Sequence, residues 1–182
     1  NSAPVLGTAA PAVNPISAQI VDRELVITAT GGFDANQLLR ITPIGQDNVF
    51  IYSELREGLT NIEVAGTVLS TRRIGGWERV GPFSASDFDS VRFEGSDANE
   101  VFEGASLNVP TYLSGNGGND LLVGGSANDI IFGGLGDDVL RSFAGDDDLD
   151  GGTGNDQMFA GDGADELRAE DDGSTNLYFG DD

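Results

Sequence analysis

The sequence predicts an all-β protein with a β-rich N-terminal region followed by a repeat array, and three patterns support this. Six aspartates stand at an unbroken spacing of nine: Asp120, Asp129, Asp138, Asp147, Asp156 and Asp165. Two positions after each comes an apolar residue, in order Leu122, Ile131, Leu140, Leu149, Met158 and Leu167, and Leu113 extends that column by one step. Upstream, short runs alternate in the two-residue period of a strand, and no segment keeps a helical period. A period of nine is too short for a helix pair and too long for one strand.

Taken in order, residues 1–17 (NSAPVLGTAAPAVNPIS) are small and Pro-rich and read as a flexible lead-in. Residues 18–93 are expected to be β-rich. Leu25, Ile27 and Ala29 alternate with Val26, Thr28 and Thr30 before Gly31-Gly32, and Val49, Ile51 and Ser53 alternate with Phe50 and Tyr52 after Gly45–Asn48. A further strand is expected over 62–69, before Gly75-Gly76. Residues 94–182 form the array. Its start is irregular: Gly95–Glu103 is a degenerate unit, and the next unit carries Thr111 at the aspartate position, so cation binding is expected to begin one turn later. Segments 34–40, 97–103 and 127–132 also resemble one another, with Gln37 and Glu100 where the array has aspartate. At the other end Ala169–Phe179 exceeds nine residues, and Gly180-Asp181-Asp182 resembles the opening of another unit, as in an excerpt of a longer chain.

Composition removes several chemistries. The formal charge is −22, from 31 acidic and 9 basic residues. Residues 94–182 hold 21 acids against Arg141 and Arg168, whereas residues 1–93 hold 10 acids against seven arginines. Such a chain repels nucleic acid and anionic membranes, which bind through Lys and Arg patches. Cysteine and histidine are absent, which excludes thiolate nucleophiles, iron–sulfur clusters, structural zinc and His-based acid–base catalysis. Oxygen ligands remain. No run of 18 apolar residues is present to span a membrane.

Read in frame, the units are GNGGNDLLV (115–123), GGSANDIIF (124–132), GGLGDDVLR (133–141), SFAGDDDLD (142–150), GGTGNDQMF (151–159) and AGDGADELR (160–168). They match G-G-x-G-x-D-x-U-x, and the array therefore resembles the RTX, or hemolysin-type, calcium-binding repeats of secreted bacterial proteins. The resemblance implies a right-handed parallel β-roll, with six residues of each unit in a turn and three in a strand, so that two units complete one coil. Strand alternation points the eighth position inward and the seventh and ninth outward.

Alternate units then share an edge, with Asp120, Asp138 and Asp156 on one and Asp129, Asp147 and Asp165 on the other. Carboxylates stacked at about 4.8 Å repel by roughly 3.5 kcal/mol per pair at an effective dielectric near 20. The roll is expected to close only when calcium bridges the turns, because calcium accepts carboxylate and carbonyl oxygens without strict geometry. In the family, turn carbonyls complete the coordination. Carried over, Gly134 and Gly136 with Asp138 face the turn of Asp120, and Gly152 and Gly154 with Asp156 face the turn of Asp138. Ser142 and Phe143 stand where glycines are expected, so sites that use Asp147 should be distorted or weaker. Affinities of about 10⁻⁴–10⁻³ M suit extracellular calcium.

Three functions fit this reading. The first is a calcium-dependent folding module of an exported surface or matrix protein, structural or adhesive and not catalytic. The second is the secretion and folding domain of an extracellular enzyme whose catalytic part lies elsewhere, since H-E-x-x-H and G-x-S-x-G are both missing. The third is carbohydrate binding by Trp77 with Arg72, Arg73 and Arg79, although Trp77 packing a loop onto the N-terminal sheet, with the arginines solvated around it, explains that cluster better. Apolar outward residues Leu121, Ile130 and Val139 leave a cell-surface, matrix or self-association partner open.

Overall fold

A computed structural model describes residues 16–29, 37–44, 48–54, 63–64, 67–68, 77–84, 86–170 and 172–180. All of its regular elements are strands, and no described helix is long and apolar enough to cross a membrane. Most of the expected lead-in, the Gly31-Gly32, Gly45–Asp47 and Gly75-Gly76 punctuation, Arg72, Arg73 and the final Asp181-Asp182 lie outside the described residues.

The first seven strands are β1 (Ile16–Val21), β2 (Glu24–Ala29), β3 (Gln37–Ile44), β4 (Asn48–Glu54), β5 (Glu63–Val64), β6 (Thr67–Val68) and β7 (Trp77–Ser84). They pair as hairpins: β1 with β2, β3 with β4, and β5 with β6, all antiparallel. Two expectations need correction here. Within the single strand expected over 62–69, the described residues form two short strands, Glu63–Val64 and Thr67–Val68, paired antiparallel with each other. The chain also enters its first strand at Ile16, inside the expected lead-in.

From Ser90 onward the pattern changes to β8 (Ser90–Glu94), β9 (Glu100–Glu103), β10 (Thr111–Gly117), β11 (Leu121–Val123), β12 (Ile130–Leu135), β13 (Val139–Ala144), β14 (Asp148–Thr153), β15 (Gln157–Asp162), β16 (Glu166–Arg168) and β17 (Leu177–Gly180). Even-numbered strands β8 to β16 stack in parallel in one sheet and odd-numbered strands β9 to β17 in the other, forming a parallel β-roll of about five coils. The register repeats every 18 residues within the array, as in Asp120 to Asp138. It steps by 20 at both ends, from Glu100 to Asp120 and from Asp156 to Asn176.

The hairpins are not a separate layer. Strand β2 pairs in parallel with β8, and β3 with β9, so each sheet runs without a break from hairpin into roll. The boundary expected at 93/94 falls inside β8. Of the similar segments 34–40 and 97–103, the described residues Gln37–Arg40 pair in register with Glu100–Glu103 on the neighbouring strand.

Between the sheets lies one narrow core. One inner column is Ile27, Phe93, Leu113, Ile131 and Leu149, and the facing column is Phe102, Leu122, Leu140 and Met158, all essentially inaccessible. Burying each such side chain contributes about 1.5–3 kcal/mol. The eighth-position residues therefore hold the coils together, with Leu167 partly buried at the last one. Phe93 and Phe102 meet across the core with ring centroids 5.0 Å apart. On the outside, Ile130 is exposed, so no described residue covers the apolar seventh position there.

Candidate metal centre

Each repeat passes from one sheet to the other through its first six residues, the first three of which extend the preceding strand in every unit but 124–132, and these turn segments line up along two edges of the roll. Turns 115–120, 133–138 and 151–156 form the first edge, and turns 124–129, 142–147 and 160–165 form the second. All six sequence-predicted aspartates sit at the ends of these turns. Asp120, Asp129, Asp138, Asp147 and Asp156 are buried, and Asp165 is partly exposed.

Each carboxylate is fixed by the coil before it. On the first edge, the Oδ1 atoms of Asp120, Asp138 and Asp156 accept the backbone N–H of Glu100, Asp120 and Asp138 at 2.7, 2.7 and 2.9 Å. On the second, Asp129, Asp147 and Asp165 accept the N–H of Thr111, Asp129 and Asp147 at 2.8, 2.7 and 3.0 Å. One oxygen of each aspartate thus closes the ladder. The other is the informative one: Oδ2 of Asp120, Asp138, Asp147 and Asp156 is buried with no hydrogen-bond partner. A buried, unpartnered carboxylate oxygen costs several kcal/mol unless something compensates it.

The electrostatics change the cause expected from the sequence. Asp120 is pushed up to about 7, and burial leads, ahead of the neighbouring charges of Asp138 and Glu100. Asp129 and Asp138 are each raised to about 6, again chiefly by burial, with backbone N–H donors pulling down. Burial likewise raises Asp147 and Asp156. Loss of water, more than mutual repulsion, therefore makes these carboxylates reluctant to ionise, and the ladder amides offset part of that by favouring the ionised form.

The glycines named from the sequence line the same gaps. Gly134 and Gly136 have φ of +113° and +121°, in the region that L side chains rarely adopt. A Cβ there would run into the carbonyl oxygens of Asn116 and Gly118, and one at Gly152 or Gly154 into those of Gly134 or Gly136. The turn carbonyls of one coil thus point at the glycines of the next. Among the described residues no three acidic side chains converge, so most donors for an ion here would be backbone oxygens. Buried unpartnered carboxylates facing carbonyls fit a hard, oxygen-seeking dication.

The sequence reading missed a second ladder, one position earlier in each turn. Oδ1 of Asn99, Asn119, Asp137 and Asn155 accepts the N–H of Asn119, Asp137, Asn155 and Thr175 at 2.8, 3.1, 2.9 and 2.9 Å. Asn128 and Asp146 do the same on the second edge. The signal was present, since the fifth position is Asn or Asp in five of the six units. Of the Trp77 cluster, Trp77 and Arg79 lie on β7, at the far end of the second sheet, and Arg72 and Arg73 lie outside the described residues.

A parallel roll with aspartate ladders and carbonyl-lined turns on both edges belongs to the class of cation-binding repeat rolls. The sequence model of the RTX calcium-binding nonapeptide repeat (4 copies) matches residues 112–140 and 141–175, so this part of the chain is an array of RTX repeats. No curated protein and no solved structure matches the chain. The match suggests calcium binding and a structural role for these repeats.

Proposed function

We propose that the chain is a calcium-dependent folding module of an exported bacterial surface or matrix protein, structural or adhesive and not catalytic. The observation that carries this reading is the set of four buried aspartate oxygens without partners, each in a turn gap. Asp120, Asp138 and Asp156, with the carbonyls of Gly134, Gly136, Gly152 and Gly154, hold calcium between coils of the first edge. Asp129, Asp147 and Asp165 form the corresponding ladder on the second. Bound calcium supplies the positive charge that burial has taken from these carboxylates, and the protein supplies fixed oxygens and excludes water. Where calcium is scarce, as inside a cell, the array stays open, and it closes after export. The absence of histidine and cysteine supports a non-catalytic role, and the same module would equally serve an extracellular enzyme as its secretion and folding domain.

Circular dichroism of the chelated chain, followed by millimolar calcium, tests this. A large gain of β signal on adding calcium is expected, and identical spectra in the two conditions would refute it.

One observation favours a second role in carbohydrate binding, away from Trp77. On the outer face of the second sheet, Arg141, Phe143, Phe159, Gly161, Asp162 and Phe179 line an open groove of about 360 Å³. Phe159 and Phe179 stack at 4.6 Å, and the Arg141 guanidinium lies 5.1 Å from the Phe159 ring. Aromatic surface beside one cation and one carboxylate suits the apolar face and hydroxyls of a neutral sugar. Affinity electrophoresis in neutral polysaccharides should show retention that Phe159→Ala abolishes.

A further inference from the structure

The two edges of the roll differ at the first position of each unit, and that difference bears on how many ions the molecule holds. On the first edge this position is glycine in all three units. A Cβ built at Gly115 would lie between Asp120 Oδ2 and the Gly133 carbonyl oxygen, 2.6 Å from the latter. One built at Gly133 would lie between Asp138 Oδ2 and the Gly151 carbonyl oxygen, again at 2.6 Å. Each gap thus brings a carbonyl oxygen close to a buried carboxylate oxygen that nothing satisfies, near enough for both to bond one calcium at about 2.3–2.6 Å.

The second edge lacks this arrangement. At Gly124 the three nearest atoms, out to 3.3 Å, all belong to Asp129, with no carbonyl of the next coil among them. The Oδ2 of Asp129 is already taken by the Gly125 N–H at 2.7 Å. One coil on, the first position is Ser142, wholly buried, and its hydroxyl donates to the Ala160 carbonyl at 2.8 Å. That carbonyl corresponds to those of Gly133 and Gly151 on the first edge. Ala160 then brings a buried methyl to the same position in the last unit.

We propose that the roll is loaded asymmetrically: calcium occupies the 120/138 and 138/156 gaps of the first edge tightly, Asp138 serving both, while on the second edge the Gly125 N–H takes Asp129 Oδ2 and the Ser142 hydroxyl takes the Ala160 carbonyl, so that Asp147 Oδ2, though unpartnered, is left without that carbonyl to share an ion with. Ser142 is the residue that excludes the ion there, its hydroxyl proton standing where a cation would meet the Ala160 carbonyl. This rests on the calcium-binding reading above and adds which gaps are filled and what closes the others.

The test is to count tightly bound calcium by native mass spectrometry and calorimetry on the full chain, stripped with chelator and refilled. The unaltered chain should hold two tight ions. Asp138→Asn, which keeps the Oδ1 acceptor for the Asp120 amide, should lose both, whereas Asp147→Asn should keep both. Ser142→Gly should gain one ion, an outcome that loss of folding cannot imitate. Equal losses from Asp147→Asn and Asp138→Asn, or an unchanged count in Ser142→Gly, would overturn the asymmetry alone. No binding by the unaltered chain at millimolar calcium would overturn the calcium reading itself.

Discussion

Turns 95–100 and 115–120 occupy the same place on successive coils of the first edge, yet they meet the same problem differently. In the earlier turn Glu100 is buried, and its two carboxylate oxygens accept the Ser96 hydroxyl at 2.5 Å and the Ser96 N–H at 3.1 Å. The Asn116 amide donates to the Gly95 carbonyl at 2.9 Å. Protein donors thus stand where the later turn leaves Asp120 Oδ2 bare. Behind the earlier turn lie the Phe93–Phe102 contact and the parallel pairing onto β2 and β3. One end of the roll is therefore complete without metal and can template coils that are not.

The strongest challenge to this contrast is calcium removal followed by hydrogen exchange. In chelator, amides of residues 139–168 should exchange orders of magnitude faster than in calcium, while those of 91–94 and 101–103 change far less. Uniform loss of protection across both regions would break the comparison. A smaller, graded effect is expected with pH. Asp120 ionises near 7 and Asp129 and Asp138 near 6 in the folded chain, above the ordinary 3.8. The calcium-free roll therefore binds more protons than the unfolded chain between about pH 4 and 7. By linkage it gains stability as pH falls through that window and loses it above. Calcium competes with those protons, so its apparent affinity should rise from pH 5 to about 7 and then level off, as titration at stepped pH would show. The mildest test is Ser96→Ala, which takes one donor from a buried carboxylate and should cost about 1–3 kcal/mol. Because that turn uses no metal, the variant should leave calcium affinity unchanged, and a drop would place an ion at Glu100.

The array was legible because one residue type did one job at one spacing. Leu113 through Leu167 report the core and Asp120 through Asp165 the turns, and the structure puts them there. Glu100 in register with Asp120 was readable from the likeness of 97–103 to the repeats. The way the hairpins join the roll was harder to read, since parallel pairing of β2 on β8 links residues some 66 apart with no spacing signal. The β1–β2 turn is also obscure: Asp22 and Arg23 take φ of +48° and +67° where a glycine or asparagine would have announced a tight hairpin. Stacking the carboxylates as bare charges overstated their repulsion, because nothing in the spacing shows that each Oδ1 receives an amide from the coil before. Phe143, at φ +78° in a glycine position, marks where the repeat departs from its pattern.

The first-edge column runs from Glu100 to Asn176, and both end side chains are met by the protein: the glutamate by serine, and the carboxamide oxygen of Asn176, which carries no charge, by the Asp156 N–H at 2.9 Å. Interior coils are thereby interchangeable. Excising residues 133–150, one whole period, would bring Asp156 onto Asp120 in the same register and shorten the molecule by a single strand spacing. Length and ion content would then change together in integer steps, so evolution could lengthen or trim such a rod by duplication without redesigning either terminus.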